Sequence, residues 1–100
     1  MTGLDCSGFV AQVWGVDKFD TTNTHKISTP VLGLNQLRWG DVFNRPGKHI
    51  MLYVGQEDTE DEGLRFLIME SSALCGGTCM MTYPAEQPDG FELRRLRSKH

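Results

Sequence analysis

Cys6 stands between Asp5 and Ser7, directly ahead of Gly8-Phe9-Val10, and is the side chain best placed in this sequence for nucleophilic chemistry. Phe9, Val10, Val13 and Trp14 recur at i, i+1, i+4 and i+5, which predicts an amphipathic helix of about three turns. Gly15 is a stop signal, and Asp5 or Ser7 can accept hydrogen bonds from the free N–H groups of the first turn. A sulfur at that end of a helix lies in the positive field of the dipole, which favours the thiolate over the thiol. A small buried residue at a helix start would leave the same local pattern. The hexapeptide therefore needs a partner.

His49 is the candidate. It opens His49-Ile50-Met51-Leu52-Tyr53-Val54-Gly55, a seven-residue apolar strand, and a second strand follows over Leu64 to Glu70. If the two pair antiparallel in the symmetric register, Gly55 faces Leu64 and His49 faces Glu70. Directly opposed residues have Cβ atoms about 5 Å apart, close enough for a carboxylate to bond an imidazole. A slip of two residues would offer Ile68 or Ser72 instead. A carboxylate beside the ring orients it and favours its protonated form, which in turn stabilises a thiolate on Cys6. An ordinary ion pair at a strand end is the competing account of His49 and Glu70.

The elements that must position these groups fit one small domain. One hundred residues with a hydrophobic fraction of 39% support a single two-layer core over residues 1–100. Residues 16–38 read as a polar connection, with a short second helix near 28–38 in which Pro30 suits the first turn. From Trp39 the period becomes extended. Gly40 to Asn44 reads as a strand closed by the turn Arg45-Pro46-Gly47, and residues 79–83 and 90–97 read as two more. Gln56 to Gly63 carries five of the thirteen acidic residues and reads as a solvated hairpin tip. The sum is an α+β fold, an N-terminal helix packed on an antiparallel sheet of about five strands. A net charge of -3 argues against nucleic acid as the main partner, and no apolar run approaches a membrane span. No basic-then-apolar start reads as a secretory signal in this chain.

In combination these pieces resemble a known family. Asp5-Cys6-Ser7-Gly8-Phe9-Val10 is similar to the nucleophile motif of the NlpC/p60 cell-wall cysteine peptidases. Trp39-Gly40-Asp41-Val42-Phe43 resembles the Pro-Gly-Asp-hydrophobic strand that follows it there. His49 to Gly55 resembles the histidine strand, usually His-Val-Gly-Ile-Tyr-x-Gly, and Ile68 to Ser72 falls where the third polar residue is expected. Phe91 to Leu96 resembles the closing strand. The resemblance implies a papain-like fold with Cys6 as nucleophile, His49 as general base and acid, and Glu70 orienting the imidazole. It implies contact of Asp5 and Ser7 with substrate or adjacent backbone, and peptidoglycan stem peptides as the substrate class. A secreted, cell-wall or phage-associated setting goes with that substrate. The chemistry requires no cofactor or metal.

The chain departs from the family in three ways. Only Met1 to Leu4 precede Asp5, so the tyrosine that members carry shortly before the nucleophile is missing from this sequence. Glu70 stands where His, Asn or Gln is commoner, and Met51 stands where a glycine is frequent. Two other functions fit the same pattern. One is a catalytically weak binding or scaffolding module, and the other a thiol amidase or acyltransferase with a different substrate. Cys75-Gly76-Gly77-Thr78-Cys79 has three readings: a disulfide across a tight turn, half of a zinc site, or two unpaired thiols.

Overall fold

A computed structural model of the chain describes residues 6–72 and 76–97. Helix α1 (Cys6–Trp14) ends where the sequence signals it should. Gly15 adopts φ +70, its N–H bonds Gln12 O at 3.2 Å, and Val16 N–H bonds Ala11 O at 3.1 Å. That pair of bonds is a Schellman cap, and it needs the left-handed backbone that glycine supplies without strain.

Six strands follow: β1 (Ser28–Pro30), β2 (Val42–Arg45), β3 (His49–Thr59), β4 (Gly63–Ser72), β5 (Gly77–Pro84) and β6 (Glu92–Leu96). They form one antiparallel sheet in the order β1-β6-β2-β3-β4-β5. The molecule is thus α+β, with one short α-helix among the described residues and six strands rather than about five. No described helix is long and apolar enough to cross a membrane.

Alternation along the strands builds a core on each side of the sheet. Val42, Ile50 and Leu52 pack with Phe9 and Val10 of α1. Phe43, Met51, Tyr53, Phe66, Ile68 and Leu93 pack on the other side beneath Val31, Leu34, Leu37 and Phe91. The ring of Phe66 meets Phe43 and Tyr53 edge-on, at 5.8 and 5.5 Å between centroids. Edge-to-face contact suits the ring quadrupoles.

Two expectations are corrected. The second helix near 28–38 is absent: β1 occupies Ser28–Pro30, and only a single 3₁₀ turn forms at Leu34–Gln36. The reason is tertiary. Ser28, Thr29 and Pro30 pair with Leu96, Arg95 and Arg94, and the Arg94 guanidinium donates to Ser28 Oγ and Ser28 O, both at 2.8 Å. Because β1 is an edge strand, Pro30 leaves no ladder bond unmade. The acidic segment 56–63 is also not all loop. β3 continues through Thr59, with Glu57 opposite Arg65, so only Glu60 to Glu62 form the tip. The ladder to β4 extends the strand although Gln56 to Asp58 stay exposed, and the Arg65 guanidinium reaches Glu62 of the tip at 3.8 Å.

Gly40-Asp41 is structural. The Asp41 carboxylate, 2% exposed, takes Nε and Nη2 of Arg95 at 2.9 Å each and the N–H of Arg38 at 2.8 Å. Its backbone O accepts from Tyr53 N–H at 2.8 Å, while Trp14 Nε1 donates to Gly40 O at 2.7 Å. Helix, loop and sheet are joined here. Arg95→Ala strands a buried carboxylate, and an expected loss of about 2 kcal/mol is readable by urea unfolding. A loss below roughly 0.5 kcal/mol, the level of an exposed pair, would show the ion pair to be dispensable.

Candidate active site

Cys6 opens α1, His49 opens β3, and Glu70 lies near the end of β4. The helix start therefore meets the hairpin at its open end. The Cys6 sulfur and the His49 ring are hydrogen-bonded. On the other side of the ring, Nε2 lies 2.6 Å from Glu70 Oε1. With Nε2 engaged by the carboxylate, Nδ1 is the nitrogen left to face the sulfur. The other carboxylate oxygen, Oε2, accepts from the hydroxyl of Tyr83 on β5. Four side chains from four elements thus stand in line.

The contact between His49 and Glu70 is made in a different register from the symmetric one. Gly55 pairs with Leu67 rather than Leu64, and Leu52 pairs with Met69, so His49 is not directly opposite Glu70. They meet on a diagonal, which a long carboxylate side chain can span. A one-residue shift between Tyr53 and Gly55 makes this possible. Extended without that bulge, the tip register Thr59↔Gly63 would put His49 and Glu70 on opposite faces, because side chains alternate strictly along a strand. The extra residue at Val54 restores the phase.

Electrostatics follow from the contacts. Cys6 is lowered from its ordinary 9.0, first by its hydrogen bond to His49, against the opposing effect of burial. Backbone bonds from Ile50 and Ser7 lower it further. His49 is pushed up to about 9, first by the bond to Cys6 and then, against burial, by Glu70. Both shifts favour a thiolate–imidazolium pair at neutral pH. Tyr83 is pushed up to about 12 by burial and by the neighbouring Glu70 carboxylate.

These shifts set a pH dependence of stability. His49, raised from 6.5 to about 9, contributes stability that is complete below 6.5 and is lost as pH rises through about 9. Cys6, lowered from 9.0, contributes in the reverse sense, complete above 9.0 and lost as pH falls through its lowered value. Above both 6.5 and the lowered Cys6 value, and up to about pH 9, the pair holds one proton whether folded or unfolded, so the two slopes cancel there. The unfolding free energy of wild type minus that of a Cys6→Ala/His49→Ala double variant is expected to be flat as pH approaches 9 from below. A steady slope there would show that the two groups are not ion-paired.

Ser7 is buried at 5% exposure, with its backbone N–H turned to the sulfur. Asp5 lies outside the described residues. Cys79 is disulfide-bonded, whereas Cys6 is free; Cys75, the other half of the expected turn, lies outside the described residues. Tyr83 was missed by sequence reasoning. Its direct cross-strand partner is Phe66, while Cys79 is opposite Glu70, so its ring must run along the sheet to reach the carboxylate. No pairing rule signals that reach. A recess of about 580 Å³ lies elsewhere, lined by Leu34, Leu37, Trp39, Tyr53 and Phe66 among others. None of the relay groups lines it. No protein-family model, curated protein or solved structure matches this chain.

Proposed function

We propose that this chain is a papain-like cysteine amidohydrolase of the NlpC/p60 type, acting on peptidoglycan stem peptides at a γ-glutamyl–diamino acid bond. The observation that carries the reading is the continuous line Cys6–His49–Glu70, a free thiol bonded to an imidazole whose far nitrogen is held by a carboxylate. A nucleophile, a base and an orienting group within hydrogen-bond reach form the signature of covalent acyl transfer. The substrate class comes from the motif resemblance.

In the first step the Cys6 thiolate attacks the scissile carbonyl carbon. The oxyanion that forms can be met by the Cys6 N–H, which the start of a helix leaves without an internal partner. His49 then gives its proton to the departing amine, the C–N bond breaks, and a thioester remains. Neutral His49 next takes a proton from water as the hydroxide equivalent adds to the thioester. Collapse releases the acid and regenerates the thiolate–imidazolium pair. Glu70 accepts from Nε2 throughout and keeps the ring aimed.

Incubation with γ-glutamyl-diamino-acid peptides, followed by mass spectrometry of the new amine and acid, tests the reading. Cleavage at that one bond is the expected result. Intact peptide after prolonged incubation, with Cys6 still fully alkylatable, would reject it in favour of a binding or scaffolding module.

A further inference from the structure

We infer that Tyr83 is a positioning residue of the relay, whose hydroxyl fixes the Glu70 carboxylate so that it holds the His49 ring against Cys6. The inference rests on reading Cys6, His49 and Glu70 as a working unit, but its test reads the thiol rather than hydrolysis.

The Glu70 side chain is only 9% exposed, and a buried carboxylate needs donors to satisfy its oxygens. Oε1 has the imidazole, and Oε2 has the Tyr83 hydroxyl. Tyr83 holds its own proton up to about 12, so it remains a donor over the whole working range. Without that donor Oε2 is left unsatisfied and the carboxylate is free to turn, so its hold on Nε2 slackens. The ring is then less well aimed at the sulfur and supports a thiolate there less.

The other groups facing the line leave this balance alone. Arg45 on β2 lies opposite His49 and is exposed and permanently charged, a constant background. Cys79 on β5 lies opposite Glu70 and, being disulfide-bonded, does not titrate. Tyr83 also packs against the Phe43–Phe66 cluster. Phenylalanine would preserve that packing and remove only the hydroxyl.

Alkylation of Cys6 by iodoacetamide, followed from pH 4 to 10 with mass mapping, separates the two roles in wild type, Tyr83→Phe and Glu70→Gln. The bond to His49 is the largest influence lowering the Cys6 thiol, so a less well-held ring should raise the alkylation midpoint of Tyr83→Phe by roughly half a unit or more. Glu70→Gln should raise it at least as far. A Tyr83→Phe curve that overlays wild type overturns the inference, even if the variant unfolds at lower temperature, since that pattern marks packing alone. A raised midpoint in a protein that cleaves no peptide supports the inference and removes only the peptidase reading.

Discussion

Cys6→Ala is expected to abolish hydrolysis of γ-glutamyl-diamino-acid peptides, lowering kcat/KM by at least about 10⁴-fold. Removing the nucleophile from a covalent relay leaves only what binding and the oxyanion donors supply, and losses of that order follow in other hydrolases. The fold should tolerate the change, because Cys6 is half-buried and sits at the first position of the helix, where Ala is a good helix former. Initial rates across a substrate series, with thermal unfolding as control, provide the measurement. Residual activity within tenfold of wild type in a well-folded variant would mean that the sulfur is not the attacking group.

His49→Ala carries the second large effect, and it has two separable readouts. The bond to His49 is the largest influence lowering the Cys6 thiol, so without it burial opposes only the backbone bonds from Ile50 and Ser7. The alkylation midpoint should therefore climb toward the ordinary 9.0. At pH 7 the thiolate fraction should fall accordingly. Hydrolysis loses more than alkylation does, because the proton for the departing amine is gone as well. General acid–base catalysis is worth about 10²–10⁴-fold, so the combined loss should exceed about 10²-fold. An unchanged alkylation midpoint would break the link between imidazole and sulfur. Equal losses in alkylation and hydrolysis would assign His49 to thiolate activation alone.

Much of the candidate site was legible in the sequence, for local reasons. The apolar stripe Phe9, Val10, Val13, Trp14 with Gly15 behind it defines a helix and its end, because helical period and left-handed backbone leave direct marks on composition. His49 at the head of an apolar run and Glu70 at the end of another marked two strands whose ends had to meet across a hairpin. Ser28 to Pro30 show the opposite case. A polar segment with a proline has no pattern of its own, and it became a strand because Arg94 and the free edge of β6 were there to receive it. Asp41 likewise resembles a motif residue, yet only its position beneath Arg95 makes it a buried ion pair.

By itself the sequence determined which residues could react and which local elements carry them, since both depend on side-chain chemistry and short-range periodicity. Only the tertiary structure decided that they meet. The shift at Val54, a single residue within one strand, puts His49 and Glu70 on a common face, and the β4–β5 ladder brings Tyr83 to the second carboxylate oxygen. Strand register has a period of two, so one extra residue inverts every facing, and nothing in the composition of either strand records where that residue is absorbed.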